Sequence, residues 1–269
     1  MTSPSRRARS VLTRPWVGPL EALTAVFLVV SLPRYLTPDP ALSRSVPPAD
    51  FPPYYPLLVT HIFFGAFAPV AAVLQLWPRL RHRHPAVHRG AGRVYAVAVL
   101  VASPCVLAIA PFGSWGPSEW VSVAMLGMLW PATTIAGYRT ARLRRLAEHR
   151  EWMIRSVALS FSIVADRFWG MLCVAVFAPD VPDAAALPGM PGHREFAQAM
   201  SISVWLSWTV NLLFAEWWIL RTRSRKPTCS GSAHGVRARP SEPVRPRRAA
   251  PSWWPRRPGR TPRWPIRQG

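Results

Sequence analysis

The sequence predicts an all-α, polytopic membrane helix bundle of about six transmembrane helices, with both termini in the cytoplasm and a disordered basic C-terminal tail. Composition is the first observation behind this prediction: 50% of the 269 residues are hydrophobic, yet the formal charge is +21. Those values conflict in a soluble globular protein and agree in apolar spans joined by basic loops. The second observation is that the apolar residues fall into blocks near the roughly 20 residues needed to cross the hydrocarbon core.

The first apolar segment is predicted to be an uncleaved transmembrane helix at about 16–36, after a basic N-terminal tail at 1–15. A basic start before a short apolar core also describes a signal peptide. Because no convincing small-residue cleavage site follows, we favour the uncleaved span. The next loop, 33–56, contains eight prolines and therefore cannot be helical throughout.

Five further apolar segments complete the predicted bundle. They lie at about 56–77, 92–112, 119–138, 152–178 and 198–220, so the transmembrane domain is predicted to cover 16–220. The fourth span starts after the Gly/Pro-rich turn PFGSWGPSEW, and the fifth ends before Pro179. Because the fifth span is longer than the others, we expect it to tilt or to extend into the headgroup region.

The distribution of arginine predicts the orientation of these spans. The N-terminal tail has four Lys or Arg residues, the loop between the second and third spans has five, the region between the fourth and fifth has six, and the C-terminal tail has fourteen. The three alternate loops together have only three. Since basic loops of membrane proteins face the cytoplasm, both termini are predicted to be cytoplasmic.

The C-terminal segment 221–269 is rich in Arg, Pro, Ser and Ala without apolar periodicity, which predicts a disordered tail. We expect this tail and the basic loops to contact anionic lipid headgroups of the bilayer, each basic residue near the surface contributing about 1 kcal/mol. Nucleic acid is not predicted as a partner, because no recognition fold accompanies the tail. The sequence leaves the oligomeric state open.

One face of the second predicted span is lined by small and polar residues. His61, Gly65, Ala68, Ala72 and Gln75 are spaced so that they fall within an arc of roughly 80°. Small residues allow close helix approach in lipid, so one interpretation is a packing seam with a polar residue near each end. The alternative is that this helix presents His61 to a buried site.

Charged residues inside the fifth predicted span indicate a second candidate site. Asp166 and Arg167 lie about 22 Å along the helix from Trp152, in the outer half of the bilayer and at a depth comparable with His61. Intramembrane charges usually face a partner or a wet cavity. We therefore predict an intramembrane polar cluster of His61, Gln75, Asp166 and Arg167, with Arg167 facing the bundle and His61 in the same pocket. A self-neutralising Asp–Arg ion pair is the alternative.

Histidines are concentrated on the predicted cytoplasmic side. The spacing of His82, His84 and His88 resembles a metal-ligand pattern, but the surrounding arginines oppose cation binding, and we predict no metal site. His88 and His149 each stand a few residues before a span. Two helices could bring them to one depth, where they could ligate a haem iron or touch an anionic group. Contact with lipid phosphate is the alternative.

Three linked motifs give the chain a family resemblance: the His61 helix, the segment HRGAGRVY and the segment HREWMIRSVALSF. Together they resemble the bacterial membrane family called domain of unknown function 2306, over roughly 57–178. This resemblance implies a multi-helix domain of undetermined activity in the bacterial plasma membrane. The matching family-pattern positions are His61, His88, Arg89, Gly92, Arg93, Tyr95, His149, Arg150 and Arg167. Asp166 and the tail after Arg221 lie outside the pattern.

Three functions remain open from the sequence. Facing histidines suit a redox or cofactor-binding membrane protein that holds haem or quinone between helices, and the histidine count allows one haem, on the inner side. A small proton-linked transporter would use His61, Asp166 and Arg167, although the internal repeats expected of transporters are faint. A non-catalytic assembly or scaffold protein would use the motif residues to bind lipid and lock helices. Whether the chain is an enzyme is not decided.

Overall fold

The computed structural model describes residues 17–37, 39, 47–181 and 189–224, and these described residues contain helices and no strand. The predicted all-α class is confirmed. The helices are α1 Val17–Ser31, α2 Tyr54–Leu76, α3 Pro78–Arg83, α4 Pro85–Ile109, α5 Pro117–Arg142, α6 Leu146–Ser160, α7 Ser162–Phe177 and α8 His193–Ser224. Short 3-10 turns at Pro33–Tyr35 and Ala110–Phe112 follow α1 and α4. The predicted tails, 1–15 and the part of 221–269 after residue 224, lie outside the described residues.

Three segments are long and apolar enough to cross a membrane: Tyr54–Leu76, Pro85–Phe112 and Pro117–Arg142. The pair α6 and α7 gives a fourth if the bent pair is counted as one span. Helix α1 has 15 residues, so its length is about 22 Å against a hydrocarbon core of about 30 Å. The described residues therefore support three or four spans. The prediction of six spans with both termini cytoplasmic stays a prediction.

Helices α2 and α4 form the most extensive helix pair in the described chain. Small side chains meet across it: Ala68 and Ala72 of α2 and Ala102 of α4 have no exposed surface. Without bulky groups between them, two helices in lipid approach closely enough for continuous van der Waals contact. This packing supports the interpretation of the α2 face as a seam.

The fifth predicted span, 152–178, is not one continuous helix. It divides into α6 and α7 at Phe161, with a bend of 44° between the two axes. Serine side chains on both sides of the break bond to backbone carbonyls: Ser160 to Ser156 and Ser162 to Leu159. Such side-chain bonds compete with the helical hydrogen-bond ladder and bend helices. The break leaves α6 packed on α5 and turns α7 onto α8.

Helix α8 begins five residues earlier than the predicted sixth span and continues to Ser224, a total of 32 residues. Its contacts with α5, α6 and α7 close the bundle. The basic end of the bundle is formed by α3, the first turns of α4 and α6 and the last turns of α5 and α8. It carries most of the described arginines and all the described histidines except His61 and His193.

Candidate functional site

A network of buried hydroxyl groups lies at the centre of the bundle, and Tyr95 of α4 stands in its middle. The Tyr95 hydroxyl lies 2.6 Å from Ser156 Oγ and 2.7 Å from Ser160 Oγ, both on α6. From α5, the Trp130 indole N–H donates to Ser160 Oγ at 2.8 Å, and Thr134 Oγ1 lies 2.7 Å from Ser156 Oγ. These five side chains, here called the hydroxyl hub, tie α4, α5 and α6 together and are all buried.

The hydroxyl hub has fewer hydrogens than contacts. Six short contacts join its members or bind them to the carbonyls of Trp130 and Ser156. Four hydroxyls and one indole supply five hydrogens, since each hydroxyl has one and the indole has one. One contact therefore always lacks a hydrogen. Several arrangements of the hydroxyl hydrogens satisfy the other five.

The hydroxyl hub also aligns the two candidate histidines. His88 precedes Tyr95 by seven residues on α4, and His149 precedes Ser156 by seven on α6. Residues seven apart lie on nearly the same face of a helix. Because Tyr95 bonds Ser156 and both helices start at the basic end, His88 and His149 lie at a similar level, about 10 Å nearer that end. The electrostatic influence of His149 on His88 agrees with this proximity.

The two imidazoles differ in their hydrogen bonds. His149 Nδ1 lies 2.8 Å from the carbonyl oxygen of Gly137, and because a carbonyl only accepts, Nδ1 must carry the hydrogen. Gly137 permits this approach, since a Cβ there would lie 2.7 Å from Met153 Sδ of α6. The Nε2 lone pair of His149 is consequently available for a ligand. His88 Nδ1 is buried and has no hydrogen-bond partner within the described part of the chain.

Gln75 and the remaining family-pattern positions near the basic end divide into packing and surface residues. Gln75 of α2 donates from Nε2 to the carbonyl of His88 at 2.6 Å, and its side chain lies against Gly92. Gln75 therefore supports the start of α4 and is not part of a cluster with His61. The pattern arginines at this end, Arg89, Arg93 and Arg150, are exposed.

His61 occupies the other end of the α2–α4 seam. Its Nδ1 lies 2.9 Å from the carbonyl oxygen of Ala102, so this histidine also donates from Nδ1 to a neighbouring helix. Helices α2 and α7 make no extended contact among the described residues. The structure thus gives His61 a helix-packing bond, and it does not bring His61 beside Asp166 or Arg167.

The expected orientation of Arg167 is wrong. Asp166 is directed toward α8, where Ser203 donates to its Oδ1 at 3.1 Å, and Arg167 is exposed. Adjacent residues of a helix point about 100° apart, so the side that buries Asp166 turns Arg167 outward. Asp166 also lies close enough to Glu119, in the first turn of α5, for electrostatic interaction. The pair therefore stands near the end where α5 begins, and the expected pocket shared with His61 is not formed.

Two interhelical ion pairs were not anticipated from the sequence. Arg155 of α6 donates to Glu216 of α8 through Nε and Nη2, the latter at 2.9 Å. Arg223 of α8 makes the same two-point contact with Glu151 of α6. The two arginines entered the sequence prediction only as charges of a basic loop and of the tail, and the two glutamates did not enter it. On each helix a glutamate and an arginine lie near one face, four residues apart on α6 and seven apart on α8. Their order suits two antiparallel helices, and this spacing is the signal that could have indicated the two ion pairs.

The hydroxyl hub was also missed, apart from Tyr95. Trp130 and Thr134 are four residues apart, as are Ser156 and Ser160, so each pair lines one helix face. That spacing was the available signal. Among the described residues, no group of three or more His, Cys, Asp or Glu side chains is arranged to hold a metal ion.

Comparison with known families agrees with the sequence motifs. A family model described as "Predicted membrane protein (DUF2306)" matches residues 58–219. The match confirms the resemblance carried by the three motifs. It also extends the C-terminal limit from 178 to 219, so that most of α8 lies within the family region. No curated protein and no solved structure matches this chain.

Proposed function

The chain belongs to the DUF2306 family of predicted membrane proteins, and from that premise we propose that it is a cofactor-binding protein of the bacterial plasma membrane. In this proposal His88 and His149 ligate one haem at the basic end. The observation that carries it is the buried Nδ1 of His88, which has no partner within the described residues and lies within electrostatic range of His149.

The chemistry of the two histidines suits an iron ligand. Donation from His149 Nδ1 to the Gly137 carbonyl fixes the ring and leaves Nε2 as the electron-pair donor, the usual second-shell arrangement of a ligating histidine. Haem iron held by two imidazoles supplies one-electron transfer. The hydroxyl hub fixes the relative level of α4 and α6, and the exposed Arg89 beside His88 provides a cation for a carboxylate of the porphyrin.

A proton-linked transporter is less well supported. That function needs His61, Asp166 and Arg167 to face a common pathway. His61 instead bonds α4, Asp166 bonds α8, and Arg167 is exposed. The three groups therefore do not form one relay.

A non-catalytic assembly protein is the second candidate. The observation that favours it is that two family-pattern groups, His61 and Tyr95, together with Gln75, are already bonded to neighbouring helices. In that case the pattern preserves helix packing and no cofactor is needed. The two candidates differ in one property, the binding of a chromophore.

The test is an absorbance spectrum of protein purified from haem-replete cells. We expect a Soret band that His88→Ala and His149→Ala abolish and that His82→Ala, an exposed histidine of the same end, leaves intact. His88→Met retains a possible iron ligand and should shift the band, which separates ligation from folding. A colourless, monodisperse protein that also takes up no added haem would refute the cofactor proposal and leave assembly as the function.

A further inference from the structure

A groove runs between α6 and α8 on the basic end, on a side of α6 separate from His149. It is lined by Arg150, Glu151 and Ile154 from α6 and by Ile219, Thr222 and Arg223 from α8, among others. Charged residues and isoleucines thus line the same groove. The ligand suited to such a lining is an amphiphile with an anionic head.

An ion pair holds one arginine of the groove in place, and the charges of the groove do not cancel. Glu151 binds Arg223 through Nε and one Nη, which uses two of the five guanidinium N–H donors and leaves three. Glu151 is itself only 20% exposed, so it anchors Arg223 to α6. Arg150 is exposed and makes no ion pair within the described residues. The three side chains therefore carry a net charge of about +1, with free donors on two guanidinium groups.

The apolar part of the groove lies toward the membrane interior. Ile154 follows Arg150 by one helical turn, and Ile219 precedes Arg223 by the same interval. Both helices therefore place a charged residue at the basic end and an isoleucine one turn deeper. Ile154 is partly exposed, whereas Ile219 is 1% exposed and forms the floor of the groove. An acyl chain can contact Ile154 while its headgroup remains beside the arginines.

We propose that this groove binds one anionic phospholipid, with its phosphate between Arg150 and Arg223 and an acyl chain against Ile154. Guanidinium groups bind phosphate oxygens through paired N–H donors. The uncompensated charge of Arg150 selects an anionic over a zwitterionic headgroup. The site differs from diffuse attraction of basic loops to the membrane surface, because it depends on particular arginines.

The test measures lipid binding to detergent-solubilised protein with dioctanoyl phosphatidylglycerol, dioctanoyl phosphatidylcholine and inorganic phosphate as probes. We expect phosphatidylglycerol to raise the Tm and the other two to have little effect. Arg150→Gln should weaken phosphatidylglycerol binding about tenfold, since it removes a charged hydrogen bond to phosphate. The matched control is Arg142→Gln, which removes an exposed arginine of the same end that does not line the groove.

Arg150→Gln leaves the Glu151–Arg223 pair intact, so a folding defect is not expected to obscure the result. An equal loss of binding in Arg150→Gln and Arg142→Gln would show diffuse electrostatic attraction and overturn the proposal. Equal stabilisation by inorganic phosphate would assign the site to a free anion and not to a lipid, which also overturns it. Neither outcome bears on the haem proposal, whose readout is absorbance.

Discussion

Single substitutions in the hydroxyl hub should lower the free energy of unfolding by different amounts. The largest loss is not expected at Tyr95, the residue in the middle of the hub. Tyr95 makes two short interhelical contacts within the hub, at 2.6 and 2.7 Å, so its loss would be expected to cost the most. Counting hydrogens gives another order. Tyr95→Phe removes one hydrogen and two contacts, which leaves four hydrogens for four contacts. Every remaining buried group keeps a partner.

Ser160→Ala has a different consequence. It removes the acceptor of the Trp130 indole N–H and leaves that donor buried without a partner. An unsatisfied buried donor costs about 1–3 kcal/mol, whereas an ordinary hydrogen bond contributes about 1 kcal/mol and often less between membrane helices. We therefore expect Tyr95→Phe to lower the free energy of unfolding by about 1 kcal/mol and Ser160→Ala by about 2–3 kcal/mol.

A double-mutant cycle tests the cause of this difference. Trp130→Phe removes the indole N–H, so the pair Ser160→Ala and Trp130→Phe should cost about 1–2 kcal/mol less than the sum of the single changes. The measurement is reversible unfolding in mixed micelles, with Ser156→Ala as the control that strands no donor. A larger loss in Tyr95→Phe than in Ser160→Ala, or additive costs in the cycle, would refute the hydrogen count.

Two further predictions concern packing and orientation. Gly127→Ala should lower the free energy of unfolding by about 1–3 kcal/mol, because a Cβ there would lie 2.9 Å from a leucine methyl of α4. Gly92→Ala is the control: the nearest atom to its Cβ would lie 3.5 Å away, so this change should be neutral or slightly stabilising. Equal losses of unfolding free energy in the two variants would contradict the helix spacing. For orientation, cysteine-accessibility labelling of intact cells, in a background without native cysteines, should protect a cysteine at position 85 and label one at 45. The reverse pattern would invert the predicted topology.

The positions of the apolar helices could be predicted because hydropathy depends on composition alone. The second span was expected at 56–77 and the helix occupies Tyr54–Leu76. The break at Phe161 could not be predicted in this way. It depends on Ser160 and Ser162 turning their hydroxyls to backbone carbonyls, and a serine in an apolar segment does so only in particular local contexts.

The orientation of side chains was harder to predict than the position of helices. Periodicity gives the angle between two residues of one helix, but the side of that helix that faces the bundle is set by its neighbours. Asp166 and Arg167 illustrate the difference, since their 100° separation was correct and the assignment of Arg167 to the interior was wrong. The packing side of α2 was easier to predict, because five small or polar residues lie on one face of that helix. Two of them, Ala68 and Ala72, have no exposed surface.

The alignment of His88 with His149 follows from the hydroxyl hub and not from either histidine. Parallel helices held by a bond between Tyr95 and Ser156 must bring residues seven positions earlier to one level, whatever those residues are. The family resemblance of the sequence motifs includes both histidines and Tyr95, although Tyr95 lies inside the bundle and the histidines lie at its basic end. Helix packing accounts for Tyr95 but not for the two histidines. The proposed function needs two imidazoles at a fixed level, and this need accounts for all three residues, because Tyr95 sets that level.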